Sequence, residues 1–198
     1  MGKFGQTMYD NFLVKELNID FNLNYALEYL DILENKFVHL RWDADNESDS
    51  VRDAELQDNI KGVYGWGIQS NLDDLSIPCP PYNIHKKGSD LYRNTMLVFG
   101  FAEQILSLFP YARQMSIAAH PPGTKIRTHV DSDTWLKIHI PLISTENSWF
   151  IFDNEKFYMK PGKMYLVNTT VPHSTNNEGD DTRIHLFFKI PADKAALL

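Results

Sequence analysis

Cysteine is nearly absent from this chain of 198 residues: Cys79 stands alone. A single thiol forms no internal disulfide, which sets a reducing, cytoplasmic compartment as the expectation. Its surroundings, Ile77-Pro78-Cys79-Pro80-Pro81, offer no helix N-terminus or neighbouring base to form a thiolate, so it is a poor nucleophile. No apolar run approaches the ~20 residues needed to span a bilayer, and Met1–Asp10 lacks the apolar centre of a secretory leader. Basic residues are in deficit, 19 Lys and Arg against 26 Asp and Glu, for a net charge of −7. An acidic surface repels phosphate backbones, which excludes nucleic acid as the default partner. Internal repeats and low-complexity tracts are missing too, so one domain over residues 1–198 is expected.

What the chain does have is aromatic weight, 13 % Phe, Trp and Tyr within 43 % hydrophobic residues, which suits a β-rich core. After Asp20, the residues Leu23, Leu27, Leu30, Leu33 and Phe37 recur at helical spacing, with Asp20 or Asn22 as the N-cap. Asp43–Asp58 is acidic and poor in large apolar residues, the pattern of a solvated loop. Val63–Ile68 reads as a strand bounded by glycines, Asn71–Lys87 as a long turn-rich connection, and Thr95–Phe109 as a second helix ended by Pro110. From Arg113 onward short strands alternate with Gly/Pro turns: Gln114–Ala119, Lys125–His129, Leu136–Pro141, Ser148–Asp153, Phe157–Met159, Met164–Asn168 and Thr182–Ile190. The expected fold is mainly β, a sandwich or double-sheet jelly roll over residues 111–191, with residues 1–110 supplying helices and edge strands against one sheet.

The chemistry gathers in this second half. His129-Val130-Asp131 closes a strand after a Pro-Pro-Gly turn, and side chains two apart in a strand share a face. His173 lies in a Val-Pro-His-Ser turn, and Arg183 opens a strand in which Arg183, His185 and Phe187 share one side. Two imidazoles and a carboxylate can cap one face of octahedral Fe(II), leaving three positions for a chelating cosubstrate and O2. An inward Arg needs an anion, because an unpaired buried charge is costly, and a dicarboxylate cosubstrate such as 2-oxoglutarate supplies one. Lys137 and His139 share one side of their strand; His139 reads equally as a cosubstrate contact or a hydrogen-bonded interior His. Trp66 and Trp135 are candidate pocket walls or core residues, Asn168 a ligand-orienting partner or a turn residue, and Asp133 a substrate-facing or exposed carboxylate. The same donors would suit a cupin-like Zn2+ hydrolase, which has no use for Arg183, and a ligand-binding β-sandwich needs no metal at all.

The run Ser116-Ile117, His120-Pro121-Pro122-Gly123-Thr124, His129-Val130-Asp131, Lys137-Ile138-His139-Ile140-Pro141-Leu142, His173-Ser174 and Arg183-Ile184-His185-Leu186 resembles the aspartyl/asparaginyl β-hydroxylase family, to which proline cis-hydroxylases are related. The resemblance spans roughly Trp66 to Pro191. It implies a double-stranded β-helix, Fe(II), 2-oxoglutarate and O2, with ascorbate as reductant. The activity implied is hydroxylation of an unactivated C–H bond in an amino acid or a peptide residue. By position, His129, Asp131 and His173 match iron ligands, Arg183 the anchor of 2-oxoglutarate, and His139 and Ser116 further cosubstrate contacts. Mammalian members have Gly where this chain has Asp131, so it looks closer to the three-ligand free-amino-acid hydroxylases. Lys137 stands where the family commonly has an Arg that recognises the substrate carboxylate.

Overall fold

A computed structural model describes residues 12–41, 62–70, 92–131, 134–195 and 197–198. Asp43–Asp58 and the whole of Asn71–Lys87, with Cys79, lie outside the described residues, as does Asp133. The elements in chain order are β1 (Val14–Leu17), α1 (Leu23–Lys36), β2 (Leu40–Arg41), β3 (Tyr64–Gly67), β4 (Gln69–Ser70) and β5 (Arg93–Asn94). They continue with α2 (Gly100–Leu108), β6 (Arg113–His120), β7 (Lys125–His129), β8 (Trp135–Ile143), β9 (Ser148–Phe152) and β10 (Glu155–Tyr158). β11 (Met164–Val167), β12 (His173–Asn177), β13 (Arg183–Pro191) and α3 (Ala192–Ala195) complete the set.

Two sheets make the body. The larger runs β1-β11-β8-β13-β6-β3-β2 and the smaller β10-β9-β12-β7, with antiparallel pairing throughout. This is the double-stranded β-helix that the strand pattern calls for. Strand alternation divides the side chains of the large sheet into two populations. Ile117 and Ala119 of β6, Ile138 and Ile140 of β8, and Leu186 and Phe188 of β13 point to the helical side, where they form the main core with Ala26, Leu30 and Leu33 of α1 and Phe101 and Ile105 of α2. The opposite faces of the same strands carry His120, His139, Arg183 and His185 toward the small sheet. A second, smaller apolar cluster, Phe150, Phe152, Met159, Tyr165 and Val167, closes one end of that inner space.

Local signals account for the helices. Asn22 caps α1 by accepting from the Tyr25 amide at 3.2 Å, and Leu30 and Leu33 fall on the buried stripe. The second helix begins five residues later than its apolar pattern suggests, because Thr95 is tied to β4: its amide and its hydroxyl both donate to the Ile68 carbonyl, at 3.1 and 2.9 Å. At the edge of the large sheet, β1 pairs with β11. Among the described residues no helix is long and apolar enough to cross a membrane.

Candidate metal centre and anion pocket

Three strand ends bring the metal-type donors together. β7 and β12 are neighbours, and their register sets His129 opposite His173. The two rings stand 4.4 Å apart between centroids. The chain leaves β7 at His129, and the Asp131 amide donates to the Thr169 carbonyl at 3.1 Å, which turns the carboxylate back toward both rings. Asp131 Oδ1 is 3.5 Å from His129 Nε2, and Oδ2 is 3.8 Å from His173 Nε2. Among the described residues His129, Asp131 and His173 form a group whose ligand atoms could share one ion.

Which ring nitrogens are bare follows from the backbone. His129 Nδ1 lies 2.8 Å from the Arg127 carbonyl and His173 Nδ1 2.9 Å from the Val171 carbonyl. A carbonyl only accepts, so each Nδ1 carries the proton and each Nε2 lone pair faces Asp131. Burial lowers the His173 imidazole to about 4, against the opposing pull of Asp131, so the ring is neutral near pH 7. Burial alone would raise the Asp131 carboxyl, but the Lys137 ammonium outweighs it and holds the acid well below its usual range. Lys137 Nζ sits 2.7 Å from Asp131 Oδ2 and 5.6 Å from the centroid of the Phe187 ring. Two imidazoles whose Nε2 atoms face one ionised carboxylate, each already oriented, are a donor set that fits a divalent first-row metal.

Deeper between the sheets the cavity narrows toward a cation. Arg183 is 4 % exposed, with its guanidinium carbon 6.0 Å from the centroid of the Phe150 ring. His129, His173 and Lys137 line one end of this cavity; Arg183, His120 and His185 line the other. His139 stands between them, stacked on Phe187 at 5.7 Å, and neither of its buried ring nitrogens has a hydrogen-bond partner. Burial, then the Arg183 and Lys137 charges, keep that ring from protonating. Thr175 Oγ1 is likewise buried and without a partner at the cavity wall. Unsatisfied buried polar atoms around one void are the signature of a polar occupant.

Of the residues singled out from sequence, His129, Asp131, His173, Lys137, His139 and Arg183 converge here. Others lie elsewhere. Ser116 is fully buried on the inward face of β6, opposite Phe187 and Gly67, and does not line the cavity; Ala118 and His120 of the same strand do. Trp66 is a core residue, 2 % exposed, donating its indole N–H to the Phe37 carbonyl. Trp135 is half-buried at the outer end of β8 and away from the cavity. Asn168 is a turn residue: its Oδ1 accepts from the Thr170 amide and hydroxyl, and its amide nitrogen donates to the Phe12 carbonyl. It reaches the metal donors only through the turn, whose next carbonyl, Thr169, holds the Asp131 amide. His120, His185 and Thr175 belong to the site and were not singled out; the signal for His185 was its place two residues after Arg183 in an alternating strand.

Residues 95–192 match the family model described as aspartyl/asparaginyl beta-hydroxylase. No curated protein matches the chain. Among solved structures, a prolyl hydroxylase from Trichoplax adhaerens, in complex with a hypoxia inducible factor peptide fragment, superposes with a TM-score of 0.55 at 13 % identity, covering 93 % of this chain and 86 % of that one. An oxidoreductase of the 2OG-Fe(II) oxygenase family from Burkholderia pseudomallei gives 0.51 at 14 % identity, covering 82 % and 77 %. Both share the fold described above.

Proposed function

Because this chain belongs, through residues 95–192, to the aspartyl/asparaginyl β-hydroxylase family, we propose that it is an Fe(II)- and 2-oxoglutarate-dependent dioxygenase. Its substrate class is a free amino acid, or an aspartyl, asparaginyl or prolyl residue in a peptide, hydroxylated at an unactivated C–H bond. The observation that carries the reading is the pair of Nε2 lone pairs aimed at one ionised carboxylate, at the mouth of a cavity whose far end is a buried guanidinium.

In this reading His129, Asp131 and His173 hold the iron. When bound, iron and 2-oxoglutarate supply the oxidative decarboxylation to succinate and CO2 and the oxidising power for hydroxylation by O2. The chain's own work is placement. Lys137 keeps Asp131 ionised and fixed in direction. Arg183 receives the distal carboxylate of 2-oxoglutarate in a charge-assisted, two-pronged bond. His139 offers its ring nitrogens to the middle of the cosubstrate, and Phe150 and Phe187 exclude water from the cavity.

A screen of free L-amino acids and Asp-, Asn- and Pro-containing peptides, with Fe(II), ascorbate and 2-oxoglutarate, tests it. Succinate release coupled to a product heavier by one oxygen atom is expected for one substrate class. A protein that holds Zn2+ firmly and forms no succinate with any of them overturns the reading.

A further inference from the structure

Arg183 is oriented by imidazoles. Its Nη1 is 3.2 Å from His120 Nδ1, its Nε donates to His185 Nε2 at 3.1 Å, and its Nη2 is 3.2 Å from His185 Nδ1. The register of β13 against β6 produces this: Arg183 pairs with His120 and His185 with Ala118, so the two rings flank the guanidinium on the inner face. All three side chains are buried, at 3 to 4 % exposure.

A guanidinium only donates, so each neutral ring must turn its one lone pair to it. His120 then accepts at Nδ1 and carries its proton on Nε2; His185 meets the fork at both nitrogens and accepts at the nearer, Nε2, so its 3.2 Å contact through Nδ1 is not a hydrogen bond. Burial, followed by the Arg183 charge, keeps both rings neutral. A carboxylate in either place would fix the guanidinium but neutralise it. A neutral imidazole fixes its direction without cancelling its charge.

Resting on the reading in which Arg183 receives the distal carboxylate, we propose that His120 and His185 are positioning residues that aim the Arg183 guanidinium and so set the preference for a keto-diacid over a keto-monoacid. Two-pronged recognition of a carboxylate depends on the plane of the fork. If the fork tilts, one of its two bonds to the ligand is lost. A keto-monoacid has no group at that end and is indifferent to the tilt.

The test is calorimetric binding of 2-oxoglutarate and of 2-oxopentanoate, its analogue without the distal carboxylate, to the Mn(II)-loaded full chain. His120→Leu and His185→Leu are each expected to weaken 2-oxoglutarate about 10- to 100-fold, the worth of one charge-assisted hydrogen bond, while 2-oxopentanoate is unmoved. The rescues differ by position. Asn places its oxygen near the imidazole Nδ1 and Gln near Nε2, so His120→Asn and His185→Gln restore binding of the diacid, and His120→Gln does not. These polar variants also carry the test should the Leu variants fail to fold. Equal weakening of both ligands, or restoration at position 120 by Asn and Gln alike, reduces the two histidines to packing and overturns the proposal. A wild-type protein that binds 2-oxopentanoate but gains nothing from the distal carboxylate overturns it as well. Wild-type protein that binds neither ligand removes the oxygenase reading itself, an outcome distinct from the others.

Discussion

At the scale of single residues the site depends on atoms whose partners are already chosen. His129 and His173 each spend one nitrogen on a carbonyl two residues earlier in the chain, which leaves the other for a metal. Asp131 has no such redundancy. Its carboxylate is the donor nearest both rings, and it is held by Lys137 at 2.7 Å. Asp131→Ala should reduce hydroxylation by more than ~100-fold, beyond the usual cost of losing a partner that only orients a ligand. The metal-free protein should still fold but melt at a lower temperature, because the Asp131–Lys137 pair that holds the carboxyl below its usual range is lost. Succinate formation followed alongside thermal melting checks both halves. Lys137→Met acts differently, since it strands the Asp131 charge. Its carboxyl should titrate at higher pH than in the parent, toward the range that burial alone dictates, which carbon-13 NMR of the labelled aspartates would detect.

At the scale of elements, β12 is the most informative strand because sequence reading missed it. His173-Ser-Thr-Asn-Asn177 has none of the alternating apolar residues that mark a strand, and His173 reads as part of a turn. The reason is functional: the inward residues of β12 meet a polar cavity and a hydrogen-bond junction, so hydrophobic alternation has nothing to answer to. β6, β8 and β13 are legible for the opposite reason. One face of each packs on the helices, and Ile117, Ile138, Leu186 and their neighbours announce it. The grouping of His129, Asp131 and His173 was legible from spacing, and so was an inward-facing Arg183. His120 was not, since only the β6–β13 register, a long-range fact, brings it to the guanidinium.

Asn177 is the junction that holds that register at the cavity end. Its amide nitrogen donates to the His120 and Asp181 carbonyls, both at 2.8 Å, and its Oδ1 accepts from Ser148 Oγ at 2.8 Å and from the Gly179 amide at 3.2 Å. Asn177→Ala removes four hydrogen bonds that tie β6, β9 and the turn at 179–181 together. A loss of roughly 2–4 kcal/mol in urea unfolding is expected, several times the value of one ordinary hydrogen bond. On the other flank of β6 the constraint is steric. A Cβ at Gly65 would fall 2.0 Å from the Ile117 carbonyl oxygen, across the β3–β6 pair. Gly65→Ala should therefore prise β3 away from β6, with a cost on the order of 3 kcal/mol in the same measurement, and a Gly65→Ala protein as stable as the parent would contradict that approach.

At the scale of the whole molecule, the cost of the site appears as a dependence of stability on pH. His120, His139 and His185 lie within one cavity, and all three are held well below the usual imidazole range, first by burial and then by the Arg183 charge. In the unfolded chain each takes up a proton near its ordinary pKa of about 6.5. Between that value and the depressed folded values the unfolded state binds more protons than the native state, so stability falls as pH falls. Each ring contributes a slope of about 1.4 kcal/mol per pH unit, and with His173, lowered to about 4 by burial, the four together give about 5 kcal/mol per unit once the pH is well below 6.5. Asp131 has a shift of the same direction but acts lower: its contribution is intact above the ordinary carboxyl range near 4 and disappears only below it. The metal-free protein should therefore hold its stability above pH 7 and lose it steeply from pH 6.5 to 5, before any carboxylate titrates. Urea midpoints at half-unit intervals measure the slope directly. His139→Phe, which preserves the stacking on Phe187, should remove one ring's share and flatten it by about a quarter. A profile that is level from pH 7.5 to 5 would mean that the three rings accept protons in the folded state, which the Arg183 guanidinium forbids while His120 and His185 serve as its acceptors.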